Sequence, residues 1–136
     1  IASCLVGSEM CIETGYHDIK AEIPRFEIGY TWYAKRYHRA YVNRVCKYLL
    51  LRHAFENLNA QVVGFRTDHL NLPSQKAIEA LGAKRDGIIR CHMLRKDGQT
   101  IRDSYIYSIL ESEWADVKAL LQTRLMQYSQ NNYFEI

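Results

Sequence analysis

Gln61-Val-Val-Gly-Phe-Arg-Thr-Asp-His-Leu-Asn-Leu-Pro-Ser-Gln-Lys-Ala-Ile-Glu-Ala-Leu-Gly-Ala83 is the stretch on which the reading of this chain turns. Its β-branched and aromatic start predicts a strand that stops at Thr67. A polar elbow follows, with Asn71 and Ser74 three residues apart, and then a short helix running to Gly82. Asn71 offers a side-chain oxygen to a helix N–H that would otherwise have no partner, which makes it an N-cap. Pro73 fits the first turn, where a missing N–H costs nothing. Gly82 suits the position just past the helix end, where a left-handed backbone is common. The product is a strand, a polar corner and a capped helix.

The flanking sequence extends this into an alternating pattern. Phe26 to Tyr33 mixes aromatic and β-branched residues around Gly29 and predicts a strand, with the glycine a candidate bulge. A basic loop covers 34–40. From Tyr41 to Leu58, Val42, Val45, Cys46 and Leu49, then Leu51, Ala54, Phe55 and Leu58, form two overlapping apolar stripes at helical spacing, so a well-buried helix is expected. Val62 to Arg66 is the next strand, and Pro73 to Leu81 the next helix, with Ala77, Ile78 and Leu81 turned inward. A hairpin has arms near Gly87–Leu94 and Ile101–Leu110, joined by Lys96-Asp-Gly-Gln99, whose Asp-Gly pair signals a tight turn. Ser112 is placed to cap a last helix with Trp114, Val117, Leu121 and Leu125 on one side. The stretch 127–136 has little pattern and is expected to be a tail. The order β-β-α-β-α-β-β-α predicts an α/β fold with a mixed sheet, because helical crossovers make parallel neighbours and the hairpin makes an antiparallel pair.

Bulk properties narrow the function classes. With 136 residues, 48% of them hydrophobic, the chain supports one domain with one core. A formal charge of +3 suits an anionic cofactor and a nucleic-acid backbone equally. No apolar run approaches the ~20 residues that span a bilayer, and a soluble, cytoplasmic protein is the expectation. Cys4, Cys11, Cys46 and Cys91 match no zinc or redox spacing, and Cys46 reads as a small hydrophobe. The five histidines form no ligand motif, so no metal site is expected.

The order T-D-x-x-N-x-x-S-x-x-A-I-x-x-L-G-A, from Thr67 to Ala83, resembles the N-x-x-S-x-x-A-x-x-x-L-G signature of the GNAT acyltransferase superfamily in its RimL-like branch. The likeness runs from about Phe26 through Leu125. It includes Glu27-Ile-Gly-Tyr-Thr-Trp32 and Asp97-Gly-Gln-Thr-Ile-Arg-Asp-Ser-Tyr-Ile-Tyr-Ser-Ile109 before Glu113-Trp114. The resemblance implies an N-acetyltransferase that uses acetyl-CoA as co-substrate, and a primary-amine acceptor, either a protein N-terminus or a small amine. It also implies a GNAT-like mixed sheet with flanking helices that lacks the first strand, first two helices and second strand of the family. Residues 13–127 would be a partial GNAT domain and 128–136 a C-terminal tail. Residues 1–12 resemble a translated sequencing-adapter peptide and are expected to be a non-native leader, with Thr14-Gly-Tyr-His-Asp-Ile19 a remnant of the third family strand.

Site residues follow from the same resemblance. The stretch His38, Arg39, Ala40, Tyr41, Val42 and Asn43 matches the loop that seats the cofactor diphosphate on a helix N-terminus, where free N–H groups and the helix dipole favour an anion. Tyr41 stands where the family has glycine. Backbone groups at Trp32 and Tyr33 would meet the pantetheine arm and the thioester carbonyl. Asn71 would contact the same arm, and Ser74 would lie near the leaving sulfur. Glu27 matches a strand carboxylate beside the acceptor and is the candidate general base, provided burial raises its pKa. Ile78 replaces the tyrosine acid of other members, leaving Ser74, Tyr105 or Tyr107 to supply a proton. Two other readings stay open. One is a non-catalytic remnant. The other is a single-strand nucleic-acid-binding module, motivated by the aromatic and basic run from Tyr30 to Arg44.

Overall fold

The computed structural model describes residues 2–6, 9–20, 22–33 and 42–131. Six strands form one mixed sheet. In chain order they are β1 (Ala2–Val6), β2 (Glu9–Lys20), β3 (Arg25–Tyr33), β4 (Val62–Asp68), β5 (Lys84–Leu94) and β6 (Ile101–Leu110). Among the described residues the α-helices are α1 (Val42–Glu56), α2 (Leu72–Ala80) and α3 (Trp114–Asn131). The spatial strand order is β1-β2-β3-β4-β6-β5. β3 and β4 are parallel, as their α1 crossover requires, and the other neighbours are antiparallel. The α/β order expected from the sequence holds, with β1 added at the sheet edge beside β2. Among the described residues no helix is long and apolar enough to cross a membrane.

Alternation along the strands sorts the sheet into two faces. Phe26, Val63 and Ile109 form one cross-strand row, and Val63 and Ile109 are fully buried in the core. Helices pack on this face. The Tyr16 hydroxyl of β2 donates to the Leu50 carbonyl of α1, and Tyr107 of β6 donates to Glu79 of α2. Trp114 at the start of α3 stacks on Phe55 of α1, centroids 5.1 Å apart, and its indole N–H reaches Glu56 at 3.1 Å. Glu27, Gly64 and Ser108 form the adjoining row on the opposite face.

Several local expectations need correction. Ala77 is exposed; the buried partner of Ile78 on α2 is Gln75, whose amide donates to the His69 carbonyl at 2.8 Å and ties the helix to the elbow. Ser112 does not cap α3. A 3₁₀ turn covers Glu111–Glu113, and the Glu113 carboxylate accepts the Leu110 N–H instead. α3 continues to Asn131, so 127–131 is helical where a tail was expected. Leu49 and Leu58 of the predicted α1 stripes are exposed, while Lys47 and Tyr48 are buried.

Candidate active site

The site begins where pairing fails. β3 and β4 share only Arg25↔Val62, Phe26↔Val63 and Glu27↔Gly64. β4 then stays paired to β6 as far as Asp68↔Ser104, while β3 stays with β2 to Tyr33. The two strands therefore part beyond Glu27, leaving a wedge at their carboxyl ends, the place where open α/β sheets bind ligands. The cause lies in β3. Gly15 faces Gly29 and Glu13 faces Trp32, so two steps on β2 match three on β3, and an extra residue is accommodated as a bulge. The bulge lies beside Gly29, as the sequence indicated.

α1 reaches the unpaired part of β3 through the Lys47–Thr31 hydrogen bond, and α2 follows the end of β4. α1 begins at Val42 after β3, and α2 begins after the elbow that ends β4. The elbow is built from side chains. The Asp68 carboxylate accepts the Leu70 N–H at 2.9 Å and is held by Arg95 at 2.9 Å, and Asn71 accepts the Ser74 N–H at 3.2 Å. Pro73 sits in the first helical turn, and Gly82, past the end, has φ of +96°. Thus Asn71 and Ser74 are brought together as cap and capped residue. In the first turn of α1, Asn43 Oδ1 is buried without a hydrogen-bond partner among the described residues. Trp32 and Tyr33 end β3 along the unpaired edge. His38, Arg39, Ala40 and Tyr41 lie outside the described residues.

On the face opposite the helices a charged cluster surrounds Glu27. Its carboxylate is 2.8 Å from the Arg66 guanidinium and 3.8 Å from Nδ1 of His17. Asp18 pairs with the same arginine and lies 3.5 Å from His17. Two glycines make this possible. A Cβ on Gly29 would sit 2.4 Å from His17 Nε2, and one on Gly64 would press on Arg25 and on Glu27 Cγ at 3.2 Å. His17, Asp18 and Glu27 offer ligand atoms within 4.8 Å of one another, but Arg66 already supplies the cation there.

Burial pushes the Glu27 carboxyl above its ordinary value, with Arg25 pulling it back. The Arg66 contact acts in the same direction as Arg25, because a charge-assisted bond favours the carboxylate. His17 is pushed down, first by burial and then by Arg66 and Lys47, and so holds a neutral imidazole near pH 7. A carboxylate and a neutral imidazole, both largely shielded from water, are chemically able to accept a proton. Tyr107 is fully buried on the helix face and hydrogen-bonded to Glu79. Tyr105 neighbours Arg85, whose guanidinium carbon lies 4.7 Å above its ring.

Sequence reasoning overlooked His17, Arg66 and Lys47. A signal for Arg66 was present: it alternates with Phe65 and Thr67 and so shares a face with Gly64. Lys47 lies four residues before Leu51 and seven before Ala54, on the very face that is buried. His17 had no local signal, since its role depends on pairing with Glu27 across the sheet.

The sheet parts beside a capped helix, with the Glu27 carboxylate at the fork, and comparison with known proteins gives the family. The acetyltransferase (GNAT) domain family model matches residues 9–84, more than half of the chain, and the chain belongs to that family. It is similar to an uncharacterised N-acetyltransferase, p20, of Bacillus licheniformis, with 28% identity over 101 residues, covering 74% of this chain and 55% of the relative. The crystal structure of a proposed acetyltransferase from T. thermophilus superposes with a TM-score of 0.80 at 42% identity, covering 88% of this chain and 62% of that one. A GCN5-related N-acetyltransferase from Brucella melitensis superposes with a TM-score of 0.74 at 26% identity, covering 81% and 49%. The chain spans about half the length of the curated relatives it matches.

Proposed function

We propose that this chain carries the cofactor-binding and proton-accepting parts of an acetyl-CoA-dependent N-acetyltransferase acting on a primary amine. The observation that carries the reading is the parting of β3 and β4 after Glu27↔Gly64, which leaves the backbone edge of β3 available to a strand-like pantetheine arm. Trp32 and Tyr33 would meet that arm and the thioester oxygen through backbone N–H groups, and Asn71 would meet it from α2. The diphosphate would rest on the first turn of α1, at Val42 and Asn43, with the preceding stretch from His38 to Tyr41 adding contacts.

The acceptor would approach on the Glu27 face. Its ammonium gives a proton to the Glu27 carboxylate, directly or through a water, and the free amine attacks the thioester carbon. Collapse of the tetrahedral intermediate would break the carbon–sulfur bond, and the proton left on the attacking nitrogen would pass to the departing sulfur or to water. The departing thiolate, with an ordinary pKa near 8.5, needs little acid assistance, and Ser74 would be the candidate to provide it. The RimL-like wording of the elbow favours a protein N-terminus or a small amine as acceptor. An α-amino group, with a pKa near 8, is easier to deprotonate than a lysine side chain near 10.4.

Calorimetric titration of the folded chain with acetyl-CoA tests this reading. Saturable one-to-one binding in the micromolar range is the expected result. Absence of binding up to millimolar cofactor would reject a working enzyme in this chain and leave a GNAT-like remnant.

A further inference from the structure

Lys47 is an unusual lysine. It is only 7% exposed, and its ammonium donates to the Thr14 hydroxyl at 2.7 Å and the Thr31 hydroxyl at 2.5 Å. Among the described residues it makes no ion pair. Buried charges are ordinarily paired, because neutral dipoles do not repay the loss of hydration. Among the described residues, the groups around it supply no carboxylate within ion-pair distance. On α1 its neighbour is Cys46. From β2 comes Thr14, while His17, held toward its neutral form partly by Lys47 itself, lies with Glu27 on the other face. From β3 comes Thr31, while Glu27 belongs to the row on the other face. α3 meets α1 through Trp114 and Gln122 against Tyr48, and its Lys118–Glu56 pair lies about two and a half turns further along α1.

The position of Lys47 ties it to the wedge. Thr31 lies beyond the last β3–β4 pair, on the part of β3 that has left its neighbour. Lys47 itself is five residues into α1, about 7.5 Å along the axis from the start of that helix. We propose that Lys47 is a cofactor-linked proton site, taking up a proton from solvent when an anionic acyl-thioester cofactor enters the β3–β4 opening. The inference rests on the acetyl-CoA reading above. Its physical basis is that negative charge brought to the start of α1 favours the ammonium form of a lysine that is itself buried, where salt screens less than at the surface. Burial, with Cys46 opposing, lowers Lys47 from its ordinary 10.5 to about 8, so the site is about half charged near pH 8 before the cofactor arrives.

The test is calorimetry of the full chain with acetyl-CoA at pH 8, in phosphate and in Tris, whose different protonation heats reveal proton exchange. The expected uptake is about half a proton per cofactor at pH 8, falling to about a tenth at pH 7, where Lys47 is already charged. The phosphate monoester of the cofactor titrates near 6 and is silent at pH 8. Lys47→Met should abolish the uptake. Lys47→Arg, permanently charged, should also abolish it while retaining affinity at high pH, and decides the matter if the methionine variant does not fold. Binding without proton uptake in the unaltered protein, or uptake that persists in either variant, overturns the proposal. No binding at all would instead reject the cofactor reading, and this inference with it.

Discussion

β4 has two edges with opposite fates. Toward β6 it is paired at seven successive residues, from Val62↔Leu110 to Asp68↔Ser104; toward β3 it is paired at three. The first edge carries the core, with Val63, Phe65, Tyr107 and Ile109 all at most 2% exposed. The second carries polar chemistry: Glu27, His17 and Arg66 on one face, and Lys47 with its threonines on the other. The difference shows how one strand serves two purposes. Complete pairing on one side holds the framework, and interrupted pairing on the other leaves backbone groups free for a ligand. Substitutions on each edge should therefore have different consequences.

The largest effect belongs to the paired edge. Phe65→Ala removes a buried ring and should destabilise the fold by about 3–5 kcal/mol in urea unfolding. A loss below about 1 kcal/mol would mean that this ladder is not the anchor. On the open edge, Glu27→Gln should lower kcat by about a hundredfold or more while acetyl-CoA affinity stays the same. An equal loss in cofactor binding would move Glu27 from the proton-accepting role to the cofactor site. Gly29→Ala tests the bulge itself. The added methyl meets His17, and a cost of about 1–3 kcal/mol in thermal unfolding is expected unless the imidazole swings away.

How far these features were legible in the sequence differs along the same line. The elbow was readable because its signals are local: Asn71 caps a helix three residues away, and Gly82 takes its positive φ at the helix end. Glu27 was reached through family resemblance and not through pattern, since a strand glutamate is usually exposed. The failures on α1 and α2 have one cause. Lys47 and Gln75 are polar residues buried through hydrogen bonds, so helical spacing of apolar residues placed Leu51, Ala54, Phe55, Ile78 and Leu81 correctly but missed these two.

Stability should also follow pH in a way that separates the two buried groups on β2 and α1. Lys47 has its folded pKa lowered to about 8 from 10.5, so the unfolded chain binds more protons between those values and stability rises with pH there. That gain is lost as pH falls through about 8. Tyr16 is raised by burial from 10.0 to about 12, with opposite sign: its contribution is full below pH 10 and is lost as pH rises toward 12. The unfolding free energy, followed by denaturant titration, should therefore climb from about pH 8 to 10 and then level or fall, with a slope of at most about 1.4 kcal/mol per pH unit for each proton. Lys47→Met should flatten the climb. The smallest effect concerns the cap. Asn71→Ala should cost about 1 kcal/mol by chemical denaturation, and any further loss of acetyl-CoA affinity would show that the cap also touches the cofactor.

What the amino-acid order determined by itself is short-range: alternation that makes strands, spacing that makes helices, the glycines and caps that bound them, and hence an α/β chain with a mixed sheet. Those choices are settled by residues within a few positions of one another. Tertiary structure decided where β3 leaves β4, that His17 and Arg66, 49 residues apart, meet over Gly29 and Glu27, and that a helix lysine is buried against two threonines. Each of these depends on the register between distant strands, which is fixed by the packing of the whole core and not by any local run of sequence.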